Sequence, residues 1–122
     1  MKVRRRILVV DDDVDLREFL SAVLKADGYD VLTAENGAAA LSVLRRVVPD
    51  LIVLDLTMPV MNGWQFREAQ TAIPQYARIP TICLSGYQAA RRQAAALGMN
   101  ACVQKPFDMD ELLEIVRGSL PE

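Results

Sequence analysis

The stretch that decides the fold reads DLIVLDLTMP and covers residues 50–59. Four apolar residues, Leu51 to Leu54, lead into the carboxylate of Asp55, and Pro59 ends the strand-like segment. A continuous apolar run is typical of a strand that is buried on both faces of a parallel sheet. In open α/β sheets, ligands bind beyond the carboxyl ends of such strands. Asp55 is therefore a candidate for chemistry, although one aspartate at a strand end is often only the N-cap of the next helix.

The rest of the chain alternates apolar runs with segments of helical periodicity. We predict strands at 7–10, 29–34, 51–54, 79–84 and 101–103, and helices at 13–28, 36–48, 64–73, 87–97 and from 108 onward. Asp13 and Asp108 are predicted N-caps, Glu111 completes a predicted capping box, and Gly28 should close the first helix. Pro74 is expected to stop the third helix, with Ile73 on its buried face.

Strands joined by helices imply right-handed crossovers and a parallel sheet between two helix layers. The chain lacks both G-x-G-x-x-G and G-x-x-x-x-G-K-[ST], which argues against a nucleotide cradle. Of the two common strand orders, the flavodoxin-like order 2-1-3-4-5 is therefore favoured over the dinucleotide-binding one. The predicted fold class is α/β, a flavodoxin-like (βα)5 three-layer sandwich with a parallel five-stranded sheet.

The composition argues against several classes of function. A chain of 122 residues is predicted to form one domain over 1–122, and its formal net charge of −2 argues against direct nucleic-acid binding. The absence of histidine removes Ser-His-Asp triads, histidine-ligated zinc and phosphohistidine acceptors. Cys83 and Cys102 lie in apolar segments without CxxC spacing, which indicates reduced thiols. No apolar run approaches a membrane span and no signal peptide is visible, so we expect a soluble cytoplasmic protein without membrane contact.

Polar residues follow four of the predicted strands. Asp11 and Asp12 come after the first strand, Asp55 after the third, Ser85 after the fourth and Lys105 after the fifth. In the order 2-1-3-4-5, these residues converge on one sheet edge. Three carboxylates at close range repel one another, and a hard divalent cation such as Mg²⁺ relieves that repulsion. The alternatives are a protonated carboxyl group or neutralisation by Lys105 alone.

A metal beside an aspartate, with a lysine and a hydroxyl group opposite, suits phosphoryl transfer to a carboxylate. In that interpretation Asp55 is the nucleophile, and Ser85 and Lys105 each hold a phosphoryl oxygen of the product.

Four motifs carry a family resemblance: VVDDD at 9–13, DLTMP at 55–59 with Asn62-Gly63, LSG at 84–86 and QKPF at 104–107. Over essentially its whole length, the chain resembles the receiver domain of two-component response regulators. The resemblance implies that Asp55 accepts a phosphoryl group from a sensor histidine kinase or a histidine phosphotransfer protein. A downstream partner or an attached output domain would respond.

The resemblance also implies a ligand set for Mg²⁺. Asp12 would bind the ion directly, Asp11 through water, and Asp55 and the backbone carbonyl of Thr57 would complete the protein ligands. Such a domain is a regulatory phosphoacceptor that catalyses only its own phosphorylation and dephosphorylation. It would be a monomer or a phosphorylation-dependent dimer.

For the switch, the resemblance implies that Lys105 pairs with the phosphate, that the bond to Pro106 is cis, and that Ser85 moves toward the phosphate. The chain departs from the family at Cys102, where many receivers carry an aromatic residue that moves with the hydroxyl group. Trp64 lies near Asp55 in the sequence and is either a fluorescent reporter of the site or a packing residue.

The two alternative functions are a pseudo-receiver and a haloacid-dehalogenase-like phosphatase. A pseudo-receiver would keep the fold without being phosphorylated, which the intact acids, Ser85 and Lys105 argue against. A haloacid-dehalogenase-like phosphatase usually carries D-x-D on its first strand, whereas Thr57 stands at the second acid's position here.

Overall fold

A computed structural model describes residues 4–56, 62–86 and 90–120 of the chain. Five strands form one sheet in the order β2-β1-β3-β4-β5, and every neighbouring pair is parallel. The strands are β1 (Arg6–Val10), β2 (Asp30–Ala34), β3 (Leu51–Asp55), β4 (Thr81–Ser85) and β5 (Ala101–Gln104). The predicted flavodoxin-like strand order is confirmed.

Six helices are present in the described ranges. They are α1 (Val14–Ala26), α2 (Gly37–Arg46), α3 (Gly63–Thr71), α4 (Pro74–Ala77), α5 (Ala90–Ala96) and α6 (Met109–Ser119). None of these helices combines the length and the apolar character that crossing a lipid bilayer requires.

The core consists of two apolar clusters, one on each face of the sheet. Strand residues alternate between them because successive side chains of a strand point to opposite faces. Leu8 and Leu54 join the cluster that α2, α3 and α5 cover, whereas Val9 and Val53 join the cluster that α1 and α6 cover. The sheet is thus buried on both faces, as the continuous apolar runs of the sequence predicted.

The third predicted helix is wrong at its C-terminal end. α3 ends at Thr71, and Pro74 begins the separate short helix α4 instead of only stopping α3. Proline suits a first helical position, where its missing N–H has no intrahelical partner to lose. Ile73, which was expected on a buried face, is 41% exposed.

Other predicted boundaries differ by a few residues. α2 ends at Arg46, because Val47 has an extended backbone. The next residue, Val48, precedes Pro49, and a residue before proline disfavours the helical conformation. β4 begins at Thr81, after Pro80, because proline has no N–H to donate to the sheet. α5 is described from Ala90, and the predicted start of this helix at 87–89 lies outside the described residues.

Side-chain caps set several helix starts. Asp13 caps α1, as predicted, by accepting hydrogen bonds from the backbone N–H groups of Asp15 and Leu16. Asp108 caps α6 but accepts from the N–H of Asp110, and not in the reciprocal pairing with Glu111 that was predicted.

A capping box instead opens α3, where Asn62 and Gln65 exchange side-chain to backbone hydrogen bonds of 2.9 and 3.0 Å. At the other end of α1, Gly28 has a φ of 98°, a conformation that favours glycine after a helix.

A buried arginine links α3 to the turn between α5 and β5. Arg67 is 4% exposed, and its guanidinium donates to the carbonyl oxygens of Leu97 and Gly98, each at 3.0 Å. It also donates to Gln70 Oε1 at 2.9 Å and to Thr81 Oγ1 at 3.1 Å. Burial lowers the pKa of Arg67, because its four described acceptors are neutral groups and water is excluded. Sequence reasoning did not detect this network.

Replacing Arg67 by methionine should lower the free energy of unfolding by about 2–4 kcal/mol, because a buried polar group left unpaired costs about 1–3 kcal/mol. Urea unfolding of the two chains measures the difference. Arg45→Met makes the same change on an exposed position of α2 and should stay within about 0.5 kcal/mol of the parent. Equal unfolding midpoints for the two variants would contradict a structural role for the network.

Gly63 should tolerate no side chain. A Cβ atom at this position would lie 2.5 Å from the carbonyl oxygen of Asp55 and 2.7 Å from the Cα of Leu56. Gly63→Ala should therefore destabilise the chain by about 1–3 kcal/mol, because backbone atoms have to move. Gly118→Ala is the matched control, since a Cβ there meets nothing within 4 Å and alanine favours the helix by up to about 1 kcal/mol. Thermal unfolding that ranks the two variants in the opposite order would refute the close approach.

Candidate functional site

The candidate site lies at the carboxyl edge of the sheet, where polar side chains end four strands. Asp11 and Asp12 follow β1, Asp55 ends β3, Ser85 ends β4, and Lys105 follows β5. Because β1, β3, β4 and β5 are neighbours in that order, these residues meet at one edge. The structure thus brings together the residues that the sequence pattern singled out.

Three carboxylates form the centre of the site. Asp11, Asp12 and Asp55 each offer one oxygen, and these atoms lie within 4.8 Å of one another. Asp11 is fully buried and Asp55 is 3% exposed, whereas Asp12 is exposed. Two like charges 4 Å apart repel by about 4 kcal/mol at an effective dielectric constant of 20. Such a cluster therefore needs positive charge.

Lys105 supplies part of that charge. Its Nζ lies 3.6 Å from Asp11 Oδ2 and 3.6 Å from Asp55 Oδ1. The backbone N–H of Lys105 donates to the carbonyl oxygen of Ser85 at 2.7 Å, which continues the pairing of β4 and β5 to this position. The peptide bond between Lys105 and Pro106 is cis, as the resemblance implied. Among the described residues, one ammonium group faces three carboxylates, so the formal charge of this cluster is negative.

Hydrogen bonds hold Asp11 in place. Its Oδ1 accepts from the N–H of Asp13 at 3.0 Å, and its own N–H donates to the carbonyl oxygen of Ala34 at 3.1 Å. Arg17 Nη1 donates to the carbonyl oxygen of Asp11 at 2.8 Å. Sequence reasoning missed Arg17, because a basic residue in the second turn of a helix is too common to be a signal.

The second oxygen of Asp11 is suited to a cation. Oδ2 is buried and accepts no hydrogen bond from the described residues, and its close neighbour is the Lys105 ammonium group. A buried carboxylate oxygen without a hydrogen-bond donor, beside two further carboxylates, matches the oxygen ligands that Mg²⁺ prefers. The donor set therefore fits a hard divalent cation.

Ser85 is buried at the end of β4. Ser85 is 1% exposed and is paired in register with Gln104, the residue before Lys105. Thr57 lies outside the described residues, so the role predicted for its carbonyl oxygen stays a prediction.

Trp64 and Cys102 are both half-buried beside the site's supporting core. Each packs against the core cluster that contains Leu54 and Phe66. Trp64 therefore has a packing role, and it follows Gly63, where an added Cβ would lie 2.5 Å from the Asp55 carbonyl oxygen. Cys102 pairs in register with Cys83 of β4.

A family model and individual relatives match most of this chain. A family model described as "Response regulator receiver domain" matches residues 7–117. The sporulation initiation phosphotransferase F of Bacillus subtilis is 31% identical over 119 residues, which cover 98% of this chain and 96% of that protein. The DNA-binding response regulator MtrA of Mycolicibacterium paratuberculosis is 36% identical over 120 residues, but the chain spans only 52% of its length.

Solved structures agree with this assignment. The chemotaxis response regulator CheY4 of Vibrio cholerae matches with a TM-score of 0.90 and 31% identity, covering 97% of this chain and all of that one. The response regulator TrrA of Thermotoga maritima, solved in complex with Mg²⁺-BeF, matches with a TM-score of 0.85 and 34% identity. That match covers 95% of this chain and 99% of TrrA. The chain belongs to the response regulator receiver domains, which are regulatory modules of two-component signalling.

Proposed function

We propose that Asp55 accepts a phosphoryl group in a Mg²⁺-dependent reaction and that its phosphorylation switches a partner or an attached output domain. The donor would be the phosphohistidine of a sensor histidine kinase or of a histidine phosphotransfer protein. One observation carries the proposal: buried Asp55 lies 3.6 Å from the Lys105 ammonium group and within 4.8 Å of the Asp11 and Asp12 oxygens.

The reaction would proceed by in-line transfer. An oxygen of the Asp55 carboxylate forms a bond to phosphorus, the N–P bond of the phosphohistidine breaks, and its electron pair leaves with the imidazole nitrogen. Charge spreads over the equatorial phosphoryl oxygens in the transition state. Lys105 stands where it can pair with one of these oxygens, and we assign the Ser85 hydroxyl group to another. Hydrolysis by water would release inorganic phosphate and return Asp55 to its carboxylate.

Asp11, Asp12 and Asp55 would hold the Mg²⁺ ion. Thr57 would add its backbone carbonyl, and the family resemblance assigns Asp11 a contact through water. When bound, Mg²⁺ supplies positive charge that offsets the repulsion among the carboxylates and the charge on the phosphoryl oxygens. The Mg²⁺-BeF complex of TrrA supports this assignment, because that protein shares the fold over 95% of this chain.

The partners follow from the chemistry of the donor. This chain has no histidine, so the phosphohistidine has to come from another chain or an attached domain. We propose that the domain 1–122 catalyses only its own phosphorylation and dephosphorylation. The cytoplasmic location and the monomeric or phosphorylation-dependent dimeric state stay predictions.

With acetyl phosphate and Mg²⁺, the chain should gain the mass of one phosphoryl group, and Asp55→Asn should gain none because the nucleophilic oxygen is lost. Intact-protein mass spectrometry measures the gain. Asp50→Asn is the control at the opposite end of β3, where Asp50 accepts from the N–H of Arg6 at 2.8 Å and asparagine can still accept. It should be phosphorylated like the parent chain.

An equal phosphoryl gain in Asp55→Asn would show that the acceptor is another residue. A parent chain that gains no phosphoryl group from acetyl phosphate or from a phosphorylated kinase would be a pseudo-receiver. Turnover of small phosphate esters would instead favour the phosphatase.

Mg²⁺ should change the fluorescence of Trp64, the one tryptophan of the chain, because Trp64 follows the glycine that contacts the Asp55 backbone.

Asp12→Asn should weaken Mg²⁺ binding by about tenfold or more, equivalent to at least about 1.4 kcal/mol, because it removes one charged ligand. Asp15→Asn makes the same charge change on the exposed first turn of α1 and should bind Mg²⁺ like the parent. Calorimetric titration that finds equal affinities for Asp12→Asn and the parent would contradict the ligand assignment.

A further inference from the structure

Two thiols face each other across neighbouring strands, just behind the site. Cys83 of β4 and Cys102 of β5 are register partners in a parallel pair, and both pack into the same core cluster. Both cysteines are free in this structure.

The backbone spacing suits a bond between them. Neighbouring strands lie about 4.8 Å apart, and disulfides form when Cα atoms are about 4.4–6.8 Å apart. Register partners in a parallel pair also project their side chains to the same face of the sheet. The two sulfur atoms can therefore approach each other without a change in strand order.

The two thiols differ in access. Cys83 is fully buried, and burial is the main cause that raises the pKa of its thiol. Cys102 is half-buried and lines a surface pocket of about 320 Å³ together with Ala94, Ala95 and Met99. A small reagent can thus reach Cys102 from the pocket, whereas Cys83 has no exposed surface and does not line the pocket.

We propose that Cys83 and Cys102 form an intramolecular disulfide when the chain reacts with a hydroperoxide, and that this bond is a redox-sensitive covalent cross-link between β4 and β5. In the first step the Cys102 sulfur attacks the peroxide, an S–O bond forms, the O–O bond breaks, and one water or alcohol leaves. In the second step the Cys83 sulfur attacks the Cys102 sulfur, the S–S bond forms, and the S–O bond breaks with loss of water. The two thiols give up two electrons and two protons, and the peroxide is reduced.

The cross-link would lie close to two residues of the candidate site. Ser85 stands two residues after Cys83, and Lys105 stands three residues after Cys102. The hydrogen bond of 2.7 Å from the Lys105 N–H to the Ser85 carbonyl oxygen joins the ends of the same two strands. A disulfide here restrains the strand ends that carry both residues, a consequence for signalling that rests on the proposed function. A reducing compartment would keep the thiols reduced until an oxidant arrives, as for other redox-sensing pairs.

The test uses the full reduced chain and hydrogen peroxide, followed by unfolding, alkylation with N-ethylmaleimide and intact-mass measurement. We expect a monomer that has lost two hydrogens and carries no alkylated thiol, with both thiols recovered after dithiothreitol. In Cys102→Ala, buried Cys83 should stay reduced and alkylatable. In Cys83→Ala, Cys102 should lose its intramolecular partner and proceed to higher oxidation states.

A second measurement needs no variant. Phenylarsine oxide binds two thiols at once, with two As–S bonds formed and one water released. One arsenical per native chain should protect both thiols of the parent from alkylation, and either single variant should lose at least tenfold in affinity. Neither readout depends on phosphorylation, so failure here is separable from failure of the proposed function.

Four results would overturn the proposal. The first is oxidation of Cys102 alone to sulfinic acid while Cys83 stays alkylatable, and the second is a covalent dimer through Cys102. The third is a gain of oxygen on Met99 with both thiols intact, and the fourth is an arsenical that protects neither thiol.

Discussion

The site depends on holding like charges together at the end of a buried sheet. Asp11 and Asp55 are almost completely excluded from water, and the described cation between them is the half-exposed ammonium group of Lys105. Two buried carboxylates repel each other unless a positive charge or hydrogen-bond donors compensate, so their backbones have to be held in place by the fold. The parallel pairing of β1 with β3 does this, because the two apolar runs behind the acids are fully buried. The folding free energy of the core thus sustains an arrangement that the acids alone would not adopt.

The surroundings of the site are closely packed in some places and open in others. Gly63 brings the start of α3 against the backbone of Asp55, with no space for even one methyl group. Arg67 holds the turn after α5 through two carbonyl oxygens. Beside that turn, Cys102 lines a surface pocket of about 320 Å³. The proposed disulfide between Cys83 and Cys102 would act on the backbone of β4 and β5 beside this pocket.

Sequence reasoning failed where a residue's role depends on distant parts of the chain or on competing local preferences. Pro74 reads equally well as the end of one helix or the start of another, and only the packing of Tyr76 into the core selects the second. Arg67 carries no local signal, because three of its four acceptors, those of Leu97, Gly98 and Thr81, lie 14 to 31 residues away in the chain. The Asn62–Gln65 capping box was readable in principle, since asparagine and glutamine stand three residues apart at a helix start.

The sequence by itself determined the class of fold, the strand order and the residues that end the strands. It could do so because continuous apolar runs, helical periodicity and the absence of phosphate-binding loops are local features that survive without knowledge of packing. The tertiary structure alone decided that Asp11 and Asp55 are buried while Asp12 is exposed, and that Lys105 lies 3.6 Å from both buried acids. It also decided the register that places Cys83 opposite Cys102. Burial, distance and register are relations between segments far apart in the chain, and they arise only when the sheet assembles and its two helix layers close over it.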